Sequence, residues 1–406
     1  MKKKIIIITV ILVIFLASFL LFLCIGNRSK EEKKEIVENI AVEVTLKEDR
    51  KIEFLAKANV SDYITSINGN IIDDYEIDTT ELGVQEITFD YINDDNIKVQ
   101  YSYTVEVVDE TAPLAFVNNT YYVKNGGSSN FYKNIFCGDN YDDNPKCYIE
   151  GEYNTKKNGT YSVKFIAEDS SGNKYTKNIK VVVYTPSSSG NSSSSTSKKK
   201  TYFSNVIKNY KTEHTKIGLD VSKWQGEIDF DKLKEAGVEF IFIRVGWGYL
   251  GEYKLDEYFE RNISEANRVG IPVGVYFYSY ASSPEESVND ALWVVEQLRG
   301  YKVDLPIAYD WEDWSDFNDY HVSFYNLTKT ATTFLDVVGL YGYDGLLYGS
   351  KNYLEKIWLD TKYDVWLAHY TSKTSYQGDY TFWQMCQNGR VDGIKGDVDI
   401  NIWYAS

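Results

Sequence analysis

The stretch "LPIAYDWEDWSDF" (305–317) places two carboxylates where they could do acid–base chemistry. An apolar run typical of a buried strand leads directly into Asp310 and Glu312. Residues two apart on a strand share a face, so we expect these two side chains next to each other. Two close, partly buried carboxylates cannot both ionise cheaply, and the pKa of one is raised. The pair would supply a proton donor beside an anion, which the cleavage of a glycosidic bond requires.

Other acidic residues also fall near the ends of predicted strands. Asp220 ends "KIGLD" (216–220), and Asp397 and Asp399 lie in "DVDINIW" (397–403). A barrel enzyme gathers its chemistry at the carboxyl ends of its strands, so these positions are compatible with one shared site. The spacing alone fits equally well a solvated loop whose acidic residues cap helices.

The C-terminal half of the chain alternates predicted strands with amphipathic helices. Three of the helical segments end on a glycine, which is a common helix stop. The order β-α-β-α predicts parallel strands, and eight of them closing on themselves predict a modified (β/α) barrel of the α/β class. The last three strands lack room for full helices between them. The predicted strands are 216–220, 240–245, 272–279, 306–312, 345–350, 364–370, 380–385 and 397–403.

The N-terminal half contains an internal repeat. One constant shift along the chain places Gly83 on Gly159 and Phe89 on Phe165, and apolar residues alternate with polar ones in both copies. Such alternation, interrupted by turn residues, is typical of half-buried antiparallel strands in small all-β sandwiches. The copies resemble bacterial immunoglobulin-like surface modules over roughly residues 38–185, with "VVDETAP" (107–113) as the joint. We expect them to act as a spacer.

Two further segments complete the predicted organisation. Residues 5–25 form an uncharged apolar run that is long enough to cross a bilayer, so a retained transmembrane anchor is favoured over a cleaved signal. Residues 186–200 are Ser-rich and are typical of a flexible linker. The predicted segments are an anchor (1–26), two sandwiches (38–110 and 111–185), a linker (186–212) and the barrel (213–406). This order predicts a single-pass cell-membrane protein with an extracytoplasmic catalytic domain.

Composition excludes several classes of function. The chain of 406 residues carries a formal net charge of −16, which argues against nucleic acid as the main partner. Its aromatic content of 16% suits stacking on sugar rings. With three His and no paired CxxC, neither a structural zinc nor another metal or cofactor is predicted. Cys137 and Cys147 could form a disulfide in an exported domain, whereas Cys386 is expected to pack in the core.

The C-terminal half resembles the family 25 glycoside hydrolases, which are lysozymes of the Chalaropsis type. The resemblance rests on an ordered set of motifs over residues 216–404, with Asp-x-Glu on the fourth strand and Val-Asp-x-Asn on the last. The motifs are "IGLDVSKWQGEIDF", "AGVEFIFIRVGWG", "ANRVGIPVGVYFYSYA", "AYDWED", "VWLAHY", "FWQMCQNGRVDGIKG" and "DVDIN". It implies a modified β/α barrel that cleaves the β-1,4 bond between N-acetylmuramic acid and N-acetylglucosamine in peptidoglycan.

The resemblance also implies roles for the acidic residues. Glu312 matches the general acid, and Asp310 matches a second carboxylate that either attacks the anomeric carbon or stabilises the substrate's 2-acetamido group as the nucleophile. Asp220 and Asp399 match the remaining acidic positions and would hold substrate hydroxyls. Asp397 is out of register with the motif and is expected outside the site.

Aromatic residues near the strand ends are candidate sugar platforms. We predict that role for Tyr276, Tyr278, Trp366 and Tyr370, with core packing as the alternative for each, and weigh Trp224 and Trp383 as further candidates. Arg244 could pair with one of the acids or contact the ligand. Trp311 stands where the family more often has a small aliphatic residue, and it is expected to point into the helix layer.

Two other functions fit part of the pattern. A chitinase also uses Asp-x-Glu on a barrel, but Ala308 breaks the acidic motif that would precede it. A catalytically inactive cell-wall-binding module could retain the barrel and lose catalysis, although all the acidic positions of the family are occupied here. The predicted partners are therefore peptidoglycan glycan strands and, through the N-terminal helix, the membrane; the oligomeric state stays open.

Overall fold

The computed structural model describes residues 42–186, 199–249 and 251–404. Across these three ranges, no helix combines the length and apolar character needed to cross a bilayer. The predicted anchor at residues 5–25 and most of the Ser-rich linker lie outside the described residues.

The first β-domain is built from short strands and one long hairpin. The strands are β1 Val44–Leu46, β2 Lys51–Glu53, β3 Ile64–Ile67, β4 Gly69–Ile71, β5 Gly83–Asn93 and β6 Lys98–Val108, with a 3-10 helix at Val60–Tyr63. The main sheet has the order β2-β6-β5-β4, and β1 pairs separately with β3. The hairpin joins β5 to β6, but the edge strand β2 runs parallel to β6. This pair differs from the expected antiparallel arrangement, because the chain crosses from β2 to the far edge of the sheet before the hairpin returns.

The second β-domain repeats this plan. The strands are β7 Leu114–Ala115, β8 Thr120–Lys124, β9 Cys137–Gly138, β10 Lys146–Glu150, β11 Gly159–Glu168 and β12 Lys174–Tyr184, with a 3-10 helix at Phe131–Asn134. Its main sheet has the order β10-β11-β12-β8, again with one parallel edge pair, and a short pair joins β7 to β9. A disulfide joins Cys137 to Cys147, as the sequence allowed.

The structure confirms the internal repeat. Strand β5 begins at Gly83 and β11 at Gly159, and β6 and β12 are related by the same shift. Within each hairpin the alternating apolar residues face one core; Phe89 and Phe165 are both almost fully buried. That the two domains are of the immunoglobulin type stays a prediction.

The barrel domain contains the elements predicted from its sequence, with small shifts at the boundaries. The strands are β13 Thr201–Tyr202, β14 Thr215–Val221, β15 Ile241–Tyr249, β16 Glu252–Leu255, β17 Val273–Ser279, β18 Ile307–Asp310, β19 Gly345–Ser350, β20 Asp364–Ala368, β21 Phe382–Arg390 and β22 Val398–Tyr404. The helices are α1 Phe203–Tyr210, α2 Phe230–Glu235, α3 Phe259–Val269, α4 Pro284–Gln297, α5 Phe317–Tyr320, α6 Phe324–Leu340 and α7 Lys351–Leu354, with a 3-10 helix at Lys223–Gln225. All eight predicted strands are present within the described residues, and β13 and β16 are additional short strands.

Among the described strands, eight close into a ring of order β14-β15-β17-β18-β19-β20-β21-β22, with β22 returning to β14. The ring is parallel except at β22, which runs antiparallel to both of its neighbours. As predicted, the last strands lack full helices: only the four-residue α7 lies between β19 and β20. A short connection into β22 leaves no room for a crossover helix, so the last strand must reverse direction.

Alternate residues of each strand face two different cores. On β18, Ile307 and Tyr309 point outward to the core under the helices, while Ala308 belongs to the core inside the ring. The inner core is rich in aromatic rings; Phe242 stacks on Trp366 with ring centroids 4.5 Å apart. Asp310 therefore shares the inward face with Ala308.

The barrel domain begins earlier than the sequence suggested. The predicted linker extends to residue 212, but α1 packs into the outer core through Phe203 and Val206, and β13 pairs with β21. The low-complexity composition ends before this helix, and an amphipathic segment of 8 residues is too short to stand out beside it. Cys386 is buried and free, as expected for a packing residue.

Candidate active site

Asp310 and Glu312 are positioned by the end of β18. Asp310 is the last residue of the strand, lies opposite Tyr278 of β17 and is buried. Glu312 follows two residues later, in the irregular segment that leads to α5, and its side chain reaches solvent. Trp311 between them is buried in the outer core, in contact with Trp314, as expected for the opposite face of the chain.

Asp220 and Asp399 meet on neighbouring strands. They are register partners between β14 and the antiparallel β22, so their backbones lie directly opposite each other. Asp220 is buried, and its Oδ2 accepts hydrogen bonds from Gln384 Nε2 at 2.9 Å and from Asn401 Nδ2 at 2.7 Å. Gln384 Nε2 also lies 3.3 Å from Asp399 Oδ2.

Gln384 links this acidic pair to two tyrosines. Its Oε1 accepts hydrogen bonds from the hydroxyls of Tyr348 at 2.9 Å and of Tyr370 at 3.0 Å. Its amide nitrogen faces Asp220, so one side chain connects distant parts of the chain at the inner wall of the barrel. Because both ends of this amide are used, its orientation is fixed, and with it the orientation of the Asp220 carboxylate.

The clustered carboxylates raise one another's pKa values. Burial, followed by the charges of Glu312 and Asp220, raises the pKa of Asp310 well above its ordinary value, and Arg244 offsets part of this effect. Burial, the charge of Asp220 and a hydrogen bond to it raise the pKa of Asp399 to about 9. Asp399 is therefore protonated at neutral pH and can donate that hydrogen bond.

Glu312 has the pKa of a general acid. Glu312 is exposed to solvent, but the surrounding protein partly buries its carboxyl group. This burial, together with the charge of Asp220, raises its pKa to about 7. A carboxyl that titrates near neutral pH can both deliver and accept a proton under physiological conditions.

Arg244 pairs with an acid outside this group. Its Nη2 lies 2.6 Å and its Nε 2.8 Å from Asp256 Oδ2, and Asp256 is almost fully buried. The same oxygen accepts the backbone N–H of Lys223 at 3.0 Å, next to Trp224. The pair thus fixes the loop after β14. Asp397 pairs with Lys200 and Arg390 and lies outside the acidic group, as expected.

Several of the predicted platform aromatics lie around the carboxylates. Tyr276 and Tyr278 are half-buried on β17, and the charges of Asp220 and Asp310 contribute, after burial, to raising the pKa of Tyr276 and of Tyr278, respectively. Tyr370 is 49% exposed and lines a cavity of about 910 Å³ beside α1. Trp224 is 76% exposed on the loop after Asp220. Such rings can present a face to a sugar.

Trp366 differs from the prediction. It is 2% exposed inside the ring, where Phe242, Tyr276 and Tyr348 surround its indole, and its Nε1 donates to Asn401 Oδ1 at 2.8 Å. Its ring is therefore unavailable to a glycan, and it supports Asn401 instead. Trp383 is likewise buried and donates to the backbone carbonyl of His369. Both tryptophans are core residues here.

Three residues of this hydrogen-bond network were not predicted from the sequence. Gln384, Asn401 and Tyr348 each follow an apolar residue in a strand of the barrel. A polar side chain in such a strand needs a buried partner, which was the available signal. The sequence could not show that the three strands carrying them converge on Asp220.

The strand ends of the closed barrel bring together a carboxyl group with a pKa of about 7, a buried carboxylate and exposed aromatic rings. This combination is typical of a glycoside hydrolase active site. The profile for glycosyl hydrolases family 25 matches residues 219–394. Lysozyme M1 of Streptomyces globisporus is 30% identical over 214 residues, a match that covers 47% of this chain and 68% of that protein. The uncharacterized protein YegX of Escherichia coli K12 is 29% identical over 205 residues, covering 47% of this chain and 70% of that protein.

The chain belongs to glycosyl hydrolase family 25, and its barrel domain is a glycoside hydrolase of the lysozyme type. Among solved structures, the modular autolysin LytC of Streptococcus pneumoniae, in complex with a synthetic peptidoglycan ligand, is 27% identical with a TM-score of 0.43. That match covers 59% of this chain and 56% of LytC, so the chain spans little more than half of LytC.

Proposed function

We propose that this chain hydrolyses the β-1,4 bond between N-acetylmuramic acid and N-acetylglucosamine in peptidoglycan. The observation that carries the proposal is the group formed by Asp310 and Glu312 with Asp220 and Asp399, in which the pKa of Glu312 is raised to about 7. The likeness to Lysozyme M1 supports the substrate class.

Glu312 acts as the general acid and then as the general base. In its protonated form, which a pKa of about 7 keeps populated at neutral pH, Glu312 donates its proton to the glycosidic oxygen as the bond to the anomeric carbon breaks. Its carboxylate then takes a proton from the water that attacks the intermediate, which returns Glu312 to its starting state. The open side of Glu312 gives both the leaving group and water access.

Asp310 supports the nucleophile. Within the described residues its Oδ1 is buried and has no hydrogen-bond partner. Because Oδ1 is enclosed, the N–H of the substrate's 2-acetamido group would donate to the other carboxyl oxygen of Asp310, and its carbonyl oxygen attacks the anomeric carbon to form an oxazolinium ion. The Asp310 carboxylate offsets the positive charge of that ion. Water then opens the ring with overall retention of configuration.

The other route has Asp310 attack the anomeric carbon itself and form a glycosyl ester. Inhibition separates the two routes. A thiazoline analogue of the bicyclic intermediate should bind much more tightly than the parent sugar if the acetamido group is the nucleophile. A glycosyl adduct on Asp310, detected by mass spectrometry after rapid denaturation, would establish direct attack instead.

Asp220 and Asp399 hold the sugar hydroxyls, and aromatic rings near them hold the sugar faces. With a protonated Asp399 and an Asp220 anchored by Gln384 and Asn401, the inner wall offers both a donor and an acceptor. The stacking surfaces around them would come from Tyr276, Tyr278, Tyr370 and Trp224.

We further propose that the enzyme works outside the cytoplasmic membrane. The apolar run at residues 5–25 would anchor it, and the first β-domain, as an immunoglobulin-like spacer, would extend its reach into the wall, since the second β-domain packs against the barrel. The Cys137–Cys147 disulfide is in keeping with an exported domain. Protease treatment of intact protoplasts tests this location, since an extracytoplasmic barrel is digested without lysis.

Digestion of purified peptidoglycan tests the activity. Full-length protein in mild detergent should release muropeptides whose new reducing ends are N-acetylmuramic acid, identified by borohydride reduction and mass spectrometry. Glu312→Gln should release none while still sedimenting with the wall. New reducing ends of N-acetylglucosamine would overturn the bond assignment. Binding without cleavage by both proteins would favour the wall-binding module.

A further inference from the structure

The second β-domain and the barrel belong to one compact unit, Thr111–Ser406. Phe136 is one of the residues that join them. Although it lies on the second β-domain, it is buried and belongs to the outer core of the barrel. Its ring centroid is 4.7 Å from that of Phe317, 6.2 Å from Phe324 and 6.3 Å from Trp314.

Polar contacts surround this aromatic contact and are specific. The side chain of Asn318 on α5 accepts the backbone N–H of Cys137 at 3.0 Å and donates to the carbonyl of Ile135 at 2.8 Å. One amide side chain thus clamps the backbone on both sides of Phe136. Gly138, next along this strand, has no room for a side chain, because a Cβ there would lie 2.5 Å from the ring of Phe324.

The second β-domain also caps α6. Asp143 Oδ1 accepts the backbone N–H of Ser323 at 2.7 Å and Asn326 Nδ2 at 2.9 Å, and the carbonyl of Asp139 accepts the backbone N–H of Phe324 at 2.8 Å. A carboxylate at the start of a helix is favourable because the helix dipole is positive there. These contacts hold the C-terminal end of the segment that begins at Asp310.

The contacted segment is the one that carries Glu312. Glu312 lies beyond the end of β18, and its carbonyl accepts the backbone N–H of Trp314 at 2.8 Å. Trp314 is held between two supports: it stacks on Tyr353 of the barrel with ring centroids 3.9 Å apart, and it contacts Phe136. The barrel contacts one side of this segment, and the second β-domain contacts the other.

We propose that the second β-domain positions the general acid, with Phe136 and its Asn318 clamp holding the 311–326 segment so that Glu312 faces the scissile bond. This inference rests on the proposed role of Glu312. A catalytic carboxyl on an irregular segment needs such support, since small misplacements cost large factors in rate. The domain is then part of the catalytic unit rather than a spacer alone.

The test compares Phe136→Ala with Tyr122→Ala in the full chain. Tyr122 lies on the same β-domain but is 71% exposed, so it serves as a matched control. We expect Phe136→Ala to lower kcat about 10- to 100-fold with KM changed less than about threefold. The alkaline limb of its pH profile should move to lower pH, because a loosened segment exposes Glu312 to water. Phe136→Leu should restore most of kcat, and Tyr122→Ala should match the wild type.

A second pair of variants tests the proposal if Phe136→Ala does not fold. Asn318→Ala and Asp143→Asn remove polar contacts and keep the aromatic core, and each should lower kcat about 3- to 10-fold at a temperature well below its Tm. If all these variants melt earlier but keep the wild-type kcat and pH profile, the contact only joins two domains and the proposal is overturned. A wild-type protein that cleaves no peptidoglycan would refute the proposed function instead.

Discussion

Asp220 and Asp399 lie directly opposite each other on β14 and β22, and burial together with the charge of Asp220 raises the pKa of Asp399 to about 9. This pairing depends on β22 running against the direction of the other ring strands, which brings the two acids to one level of the barrel. The charge of Asp220 also raises the pKa of Glu312, so the pair contributes to the acidity of the site as well as to its shape.

The pH dependence of catalysis should report Glu312. The general acid must be protonated, so kcat/KM should fall as pH rises through an apparent pKa near 7. Because the charge of Asp220 is one cause of this raised value, Asp220→Asn should move the alkaline limb to lower pH in its remaining activity. Initial rates on soluble glycan fragments, measured from acidic to alkaline pH, give the alkaline limb of the wild type and of Asp220→Asn. An alkaline limb at the same pH in the two proteins would contradict this coupling.

Glu312→Gln should lower kcat by about 10³-fold, the usual contribution of a general acid. Glutamine keeps the size of the side chain, so KM and Tm should change little. Single-turnover rates and pull-down on purified walls provide the measurements, with the exposed Glu355→Gln as a control expected to match the wild type. A loss of binding equal to the loss of rate would instead indicate a role in holding the substrate.

Asp399→Asn should stabilise the protein, and more so at high pH. A carboxyl whose folded pKa is raised to about 9 keeps its proton in the folded chain after the unfolded chain has lost it, so its cost begins above about pH 4 and grows up to about pH 9. Asparagine keeps a donor to Asp220 without that cost. Tm should rise by a few degrees at mildly alkaline pH and by little near pH 4. The exposed Asp379→Asn serves as the control, and a pH-independent gain would contradict the explanation.

Gln384→Leu should damage the site from within the barrel. It removes the acceptor for the hydroxyls of Tyr348 and Tyr370 and a donor to Asp220, and an unpaired buried polar group costs about 1–3 kcal/mol. We expect a lower Tm and a kcat/KM reduced about 10- to 100-fold. Gln377→Leu, at an exposed position of the same domain, should leave both unchanged. Full activity in Gln384→Leu would show that the network is dispensable.

Trp366→Phe and Trp224→Ala should affect different properties. Trp366 is buried and donates to Asn401, so its replacement should cost about 2–4 kcal/mol of stability with KM nearly unchanged. Trp224 is largely exposed, so its loss should raise KM about 3- to 10-fold with little change in Tm. Chemical denaturation and KM for glycan fragments separate them. The reverse pattern would restore Trp366 as a sugar platform.

Much of the fold could be predicted because its signals are local. Alternation of apolar and polar residues, glycine stops and the internal repeat can be read along the chain, and the structure confirms the eight ring strands and the repeated hairpins. The sequence also predicted Asp310 and Glu312 on one strand, but β18 ends at Asp310 and Glu312 follows in an irregular segment. The immunoglobulin-like identity and the anchor at residues 5–25 stay predictions.

What the sequence determined alone is therefore the order of the elements, the closing of the barrel and the acidic residues at its rim. Tertiary structure decided which side chains meet: it buried Trp366, made Gln384 the link between Asp220 and two tyrosines, and placed Phe136 in the core of another domain. The physical reason is that burial and hydrogen bonding depend on contacts between residues far apart in the chain. Neither periodicity nor composition records which of those residues become neighbours.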